Sequence, residues 1–520
     1  MIDPASASTT PGGPSLGGDA TPESASHALA DPYSPEIRTA LLLTGTGTAG
    51  AYHAGVLRAL HEAGVKIDLV GGHGIGAVGA MFAALDGAQR LWDEKGFWRA
   101  RPVRMLYGWR PLLRVAVWAL ALSAAIVAVP IGVIALGLVV YPIDFVLKMA
   151  GAGGGGLADA YLRFTQAAFA PEALPTWLPR LVVLELGLVG AIALLTAWAT
   201  RGPRRRRGAF WWRMLPPPLS AAPAVEHCWR AMWDLLRGAA RLKEPSPLEL
   251  CRRFSELVTE NLGQPGCREL VLAVHDLDAH RDLLFALVSE SRRRPLHVPG
   301  DRPVPSGAGD ALQGIPGVPA AGFDDAEARR AEVFDLSGVA RDYLPDVVAG
   351  ALAVPVACEP RTLRFAPDAY WRGEVHRLCD RPAIFARLIE ELTDLGAEQI
   401  LIVTAAPDAR GPHSLSPPRL DGRGRLGQYL ESAEGAAVRD ALRLAAGPVQ
   451  RERSAGRLAV RIFPIRPAHN PIGPFDFAGG FDDRSDRRQP LEELMARGYE
   501  DAYHQFIEPV VGASGERVGQ

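Results

Sequence analysis

Short apolar runs alternate with glycine turns and helix-period segments between residues 38 and 85 of this chain. Ala40 to Leu43 is an unbroken apolar run, the pattern of a buried parallel strand. Gly45, Gly47 and Gly50 follow, and apolar residues then recur at Ala51, Ala54, Val56, Leu57 and Leu60, which predicts a helix that Gly64 ends. Ile67 to Val70 predicts a second buried strand, and the turn GGHGIG (residues 71–76) leads into a small-residue helix through Ala77, Ala80 and Met81. Further on, Pro223 to Leu262 reads as amphipathic helix, Glu269 to Asp276 as a strand, and Asp282 to Val288 as a strand or a helix. His297 to Asp325 is a Gly- and Pro-rich loop, Leu458 to Ile465 a strand, and a helix starts at Leu491. The organising feature is the pair of strands that run into glycine turns at helix N-termini. Unpaired N–H groups and the positive helix end make such turns candidate anion or oxyanion sites.

Two long apolar stretches interrupt this pattern. Val115 to Tyr141 carries no charge, and Leu181 to Thr200 carries only Glu185. A bilayer-crossing helix needs roughly 20 residues, so a two-helix transmembrane hairpin is expected over about 115–141 and 181–200. Pro130 is expected to kink the first helix, and Glu185 lies near an end of the second, where a carboxylate costs least. Two buried helices of a soluble core are the other reading. Arginines 99, 101, 104, 110 and 114 precede the first run, and arginines 201, 204–207 and 213 follow the second. The 142–179 connection holds only Lys148 and Arg163. Positive charge on both outer flanks places both soluble parts on the cytoplasmic side and the connection across the membrane. The run Arg204 to Arg207 suits either anionic lipid or nucleic acid, and its place beside an apolar span, with Trp211 and Trp212 following, favours lipid.

Composition narrows the partners. The 520 residues carry 56 Lys and Arg against 58 Asp and Glu, a balance that disfavours a nucleic-acid binder. Five scattered cysteines without C-x-x-C spacing indicate reduced thiols, and no metal site or cofactor is expected. Residues 1–36, rich in Ala, Ser, Thr, Pro and Gly, read as a disordered tail and not as a signal peptide. Heavy Ala, Arg, Gly and Pro usage is compatible with a bacterial source, making the inner membrane the expected host.

The glycine turns admit two chemistries. Gly45-Thr46-Gly47-Thr48-Ala49-Gly50 has the spacing of a dinucleotide fingerprint, but the acidic residue wanted at the end of the second strand is absent. Asp68 lies too early and the strand ends in Gly71 and Gly72. The stretch TGTGTAGAYHAGVLRALHEAGVKIDLVGGHGIGAVGAMFAAL resembles instead the opening of the patatin-like phospholipase family, with its G-G-G-x-R-G oxyanion loop and G-x-S-x-G nucleophile elbow. The resemblance extends over about residues 37–90 and 225–508. It implies an α/β fold with a parallel-sheet core and helices on both faces, which the membrane hairpin read from the apolar runs interrupts, and a lipid acyl hydrolase that uses a Ser–Asp dyad.

At each chemical position this chain departs from that pattern. Its oxyanion or anion-binding loop is Gly45, Thr46, Gly47, Thr48 and Gly50, with Ala49 in place of the arginine. Its elbow is Gly72-His73-Gly74-Ile75-Gly76, so Gly74 stands where the resemblance puts the nucleophilic serine. No Ser or Cys lies between Arg38 and Leu85. The family's D-G-G or D-G-A motif is matched to Tyr370–Val375, which puts Arg372 at the aspartate position and leaves Glu374 as a nearby carboxylate. Arginine cannot serve as a base at physiological pH.

The parts are thus expected as a tail (1–36), an N-terminal α/β part (37–100), a membrane insertion (101–215), a C-terminal α/β part (216–510) and a second tail (511–520). The resulting expectation is a catalytically degenerate, membrane-anchored protein that binds an anionic phospholipid or acyl chain, or acts as a scaffold. Two alternatives stay open. One is an active hydrolase with another nucleophile, drawn from Thr44, Thr46 or Thr48 with His53 or His73 nearby; the other is an interaction protein working through the 142–179 loop. His275, at a strand end, reads as structural.

Overall fold

The computed structural model describes residues 33–151, 156–170, 177–199, 217–240, 242–297, 325–408, 421–452, 460–482 and 484–512. Residues 1–32 of the expected tail, the basic run with Trp211 and Trp212, and most of the 297–325 loop lie outside them.

Among the described residues nine strands build one mixed sheet. They are β1 (Thr39–Leu43), β2 (Leu69–Gly72), β3 (Glu269–Asp276), β4 (Arg281–Leu287), β5 (Val333–Asp335), β6 (Arg361–Arg364), β7 (Val375–Cys379), β8 (Gln399–Val403) and β9 (Arg461–Ile465). The order is β9-β8-β1-β2-β3-β4-β5, with β7 pairing with β3 and β6 with β7. The centre is parallel, Leu43 sitting opposite both Gly72 and Val403, whereas β3–β4, β3–β7 and β6–β7 are antiparallel. Asp282 to Val288 therefore resolves as a strand, paired across a tight turn to β3.

Strand alternation sends residues to two cores. Leu41 and Leu43 face the helices α1 (Ala49–Glu62) and α2 (Gly76–Ala84), while Ala40 and Leu42 face the opposite side. The first core also holds α6 (Ala222–Leu236), α7 (Pro247–Asn261) and α8 (Leu344–Ala351), whose stripes of Trp229, Phe254 and Val347 are buried. Ser246 caps α7 by accepting the Glu249 N–H, the pairing that makes S-x-x-E a helix start. The second core takes α9 (Ile384–Asp394) and one face of α10 (Gly422–Glu452). Helix α11 (Leu491–Ala502) closes over α1. The fold is α/β with helices on both faces of a largely parallel sheet, as the resemblance implies.

The insertion is helical. Helix α3 (Pro111–Met149) runs unbroken through Pro130 for roughly 58 Å at about 1.5 Å per residue. It exposes Val115, Trp118, Ile134 and Leu138 among other large apolar side chains. Helix α5 (Trp177–Ala199) packs on it, with Ser123 Oγ donating to Glu185 Oε2 at 2.8 Å. Helix α4 (Leu157–Ala168) packs further along, Tyr161 Oη donating to the Val133 carbonyl at 2.6 Å. Among the described residues one helical stretch, Ile131–Met149, is long and apolar enough to cross a membrane; Pro111–Ile126 is apolar but shorter. Glu185 thus lies against α3 and not at an exposed end. A two-residue ribbon, Gly108–Trp109 antiparallel to Leu219–Ser220, ties the two ends of the insertion together.

Candidate functional site

Strands β1 and β2 end side by side, which brings the two glycine turns together at the C-terminal edge of the sheet, where α/β folds place their ligands. Gly74 lies at φ +57°, the left-handed conformation that an elbow between strand and helix demands. A Cβ there would sit 2.3 Å from the Gly45 carbonyl oxygen and 2.8 Å from Asp380 Oδ2. The Gly45 carbonyl is held in that place, accepting the Ile75 N–H at 2.9 Å. The loop's backbone oxygen therefore occupies the space a side chain at position 74 would enter.

The rest of the loop is tied down from the far side. Gly47, at φ +59°, lies so close to the 474 peptide that a Cβ would fall 1.9 Å from the Pro474 carbonyl. That same carbonyl accepts the Thr48 N–H at 3.0 Å, and Thr48 Oγ1 donates to the Gly473 carbonyl at 2.9 Å. The Ala49 and Gly50 N–H groups turn back onto Thr46 and Gly47. The donors of Thr48, Ala49, Gly50 and Ile75 are thus occupied inside the protein.

Three side chains form a continuous polar chain beneath the turns. Thr44 Oγ1 lies 2.6 Å from His73 Nε2, and His73 Nδ1 lies 3.0 Å from Asp380 Oδ1. Thr46 Oγ1 reaches Asp380 Oδ2 at 3.4 Å, and the Arg381 N–H donates to Asp380 Oδ1 at 2.8 Å. Exposure is 0 % for Thr44, 1 % for His73 and 3 % for Asp380. With Asp380 ionised, Nδ1 carries the proton and Nε2 accepts the threonine hydroxyl.

Glu434 on α10 faces Gly45 and accepts the Thr404 hydroxyl. Burial raises its pKa, opposed by Thr404 and His73 and assisted by Asp380. His53 on α1 is fully buried, and neither ring nitrogen makes a hydrogen bond of normal geometry. Burial pushes its pKa down to about 3, against a weaker pull from the Thr44 backbone and with His73 adding to the drop. Burial likewise drives the Tyr107 phenol well above its usual range; its hydroxyl donates to the Leu352 carbonyl at 3.0 Å. The cavity beside the loop, lined by Thr46, Leu430, Glu434 and Asn470, measures about 10 Å³, room for about one water.

The expected partnership of Gly74 with Arg372 is not formed. Arg372 sits on an exposed turn at φ +43°, lining a surface groove with Asp335, Asp368 and Glu374. The strand begins only at Val375, so the Arg372–Glu374 stretch is turn, and Glu374 contacts His376 Nε2 at 3.3 Å on the surface. The carboxylate beside the elbow is Asp380, eight residues later, at the end of β7. Residue reasoning missed it because Arg381 and Pro382 stand where small residues were sought. The legible signal was an acidic residue closing the alternating strand VHRLC just before helix α9. His275 Nδ1 lies 2.7 Å from Asp282 Oδ1. Among the described residues no cluster of His, Cys, Asp and Glu could hold a metal ion.

A strand–elbow–helix turn faces a glycine loop and a buried aspartate on a mostly parallel sheet, the backbone arrangement that G-x-S-x-G motifs adopt. Residues 41–157 match the family model Patatin, described as patatin-like phospholipase. The chain is similar to patatin-like phospholipase domain-containing protein 6 of Homo sapiens and of Mus musculus, each 48% identical over 60 residues. That match covers 11% of this chain and 4% of those proteins, so the chain spans a small fraction of the length of the curated relatives it matches. Among solved structures, VipD from Legionella pneumophila aligns with a TM-score of 0.28 at 14% identity, over 92% of this chain and 67% of that one.

Proposed function

We propose that this chain is a membrane-anchored patatin-like protein that has given up ester hydrolysis by the serine route and holds lipid, or scaffolds other components, at the inner face of a membrane. The observation that carries this reading is the Gly45 carbonyl in the place of a nucleophile's side chain. Position 74 has no attacking atom, and the Thr48, Ala49, Gly50 and Ile75 N–H groups around it already have partners inside the protein. Two carboxylates, Asp380 and Glu434, face the same turns, so an anionic head group there would meet repulsion. Lipid contact is therefore assigned to the apolar surface of α3 and to its acyl chains, not to the glycine loop. Both soluble parts lie on the cytoplasmic side in this reading, and neither nucleic acid nor a cofactor is involved. The test is hydrolysis of phospholipid vesicles by the purified full chain. No release of fatty acid above buffer is expected, and release abolished by Asp380→Asn would overturn the proposal.

A second reading rests on a specific observation, the Thr44–His73–Asp380 chain at 2.6 and 3.0 Å. It orders hydroxyl, imidazole and carboxylate as a nucleophile triad does. In that reading the glycine loop swings out, His73 takes the Thr44 proton, Thr44 Oγ1 attacks the acyl carbon, and the ester's alcohol leaves with the proton from His73; water activated by His73 then splits the threonine ester to the free acid. The full burial of Thr44 and the water-sized cavity stand against it. Hydrolysis lost in both Thr44→Val and His73→Phe would establish it.

A further inference from the structure

A cleft of about 620 Å³ opens at the root of helix α3, apart from the glycine turns. Small-molecule sites commonly measure roughly 300–1,000 Å³, so the space is of ligand size. Its walls come from the segments that carry the insertion: Arg110, which precedes α3, the Leu219–Ser220 arm of the ribbon, helix α6 and the start of β6. The Arg110 N–H donates to the Pro218 carbonyl at 3.1 Å, which fixes that root against the α/β body.

The lining pairs both signs of charge over an apolar floor. Arg110 and Arg361 supply guanidinium groups, and Glu226, Glu244 and Glu359 supply carboxylates. Arg110 is held by Glu359 and Arg361 by Asp346. Each guanidinium has five N–H donors, so a single carboxylate contact leaves donors for a phosphate. Val225 and Trp229 form part of the floor. Trp229 is 3% exposed, and its indole Nε1 has no hydrogen-bond partner among the described residues, an orphaned donor in the cleft wall.

Position selects the occupant. Met105 and Trp109 are exposed just before Arg110, and Leu112, Val115 and Trp118 just after it. A bilayer around the first turns of α3 would bring its head-group layer to the cleft mouth, with Trp109 at the interface where tryptophan concentrates.

We propose that this cleft binds one zwitterionic phospholipid head group, its phosphate on Arg110 and Arg361 and its ammonium on Glu226 and Glu359. The proposal rests on the membrane reading given above and names the lipid that reading requires. The site lies outside the elbow, so it does not depend on whether residue 74 could ever be catalytic.

The experiment uses the full chain in detergent with a soluble short-chain phosphatidylethanolamine, bound species being counted by native mass spectrometry. Flotation with phosphatidylethanolamine–phosphatidylglycerol vesicles is measured beside it. One bound phosphatidylethanolamine is expected. Arg361→Ala should weaken it about tenfold, the loss of about 1.4 kcal/mol of charge-assisted hydrogen bonding. Ala222→Trp, which fills the cleft from an exposed position, should abolish it. Both variants should float like the unmodified protein. Binding unchanged in both variants, or short-chain phosphatidylglycerol bound equally well, would overturn the proposal. Flotation without head-group binding would sink the cleft alone, whereas head-group binding without flotation would sink the membrane reading and leave the cleft supported.

Discussion

Adding one methyl group at residue 74 is the sharpest probe of the glycine turns. Gly74→Ala asks a residue with a Cβ to sit at φ +57°, a left-handed conformation that costs about 1–2 kcal/mol. The methyl also falls 2.3 Å from the Gly45 carbonyl oxygen, a backbone atom that cannot swing aside as a side chain would. Relief requires the loop to withdraw, which stretches the Ile75–Gly45 hydrogen bond, worth about 0.5–1.5 kcal/mol, and disturbs a packed turn at about 1–3 kcal/mol. Gly238 supplies a matched control: its φ is +55°, and nothing lies within 4 Å of its Cβ position. Alanine stiffens the unfolded chain at both sites by about 0.4–1 kcal/mol, so that effect cancels in the comparison. Gly238→Ala should cost about 1 kcal/mol and Gly74→Ala about 4 kcal/mol, by the sums above. Equilibrium urea unfolding of the two variants, followed by tryptophan fluorescence, measures the difference. Equal destabilisation would show that the Gly45 carbonyl does not fill the turn and that a serine side chain would fit.

Other consequences concern the buried polar chain and the surface turn. His53 titrates near 6.5 when unfolded but near 3 in the fold, because burial disfavours its cation. Below about pH 6.5 the unfolded state binds the extra proton, so stability should fall with acidification at up to about 1.4 kcal/mol per pH unit until the pH reaches the folded value. His53→Phe should flatten that slope in urea titrations from pH 7 to 4; an unchanged slope would exclude His53 as its source. Glu434 runs the other way: its carboxyl titrates higher in the fold than in the unfolded chain, so its contribution is lost as pH rises through the folded value. Glu434→Gln should therefore gain stability relative to the unmodified protein as pH increases from 5 to 8, and a gain independent of pH would contradict this. Asp380→Asn weakens the His73 and Thr46 contacts together and should cost about 1.5–3 kcal/mol, the range for hydrogen bonds to a charged group. Arg372→Ala, by contrast, should change stability by no more than about 0.5 kcal/mol, as for an ordinary surface substitution. A larger loss would return Arg372 to the site.

Much of the architecture was legible because local pattern and tertiary placement agree. The apolar run Ala40 to Leu43 had no alternative to a buried strand, and the spacing from Ala51 to Leu60 had none to a helix packed on it. The elbow was legible for the same reason, since GGHGIG between strand and helix leaves the backbone one tight way to turn. Asp380 was harder to find. Its strand, VHRLC, alternates exposed and buried positions and is only five residues long, and the following Arg-Pro hides the turn. The glycine at 373, which the family motif would make part of the site, closes a surface turn instead. The polar chain from Thr44 to Asp380 spans 336 residues of sequence, and no local spacing encodes a contact of that separation. In the insertion, charge depletion gave the helices but not their partners. Glu185 looked like an end-of-span carboxylate and instead meets Ser123 between α3 and α5.

The account stands on the absence of an attacking atom at the elbow, and covalent trapping tests that most directly. The full chain is incubated with a fluorophosphonate and, separately, with an activated long-chain acyl ester, then weighed intact and mapped by peptide mass. The account predicts no adduct on any residue of the two glycine turns, in the unmodified protein and in Asp380→Asn alike. An acyl or phosphonyl group on Thr44, present in the unmodified protein and missing in His73→Phe, would contradict it and make this domain a working hydrolase.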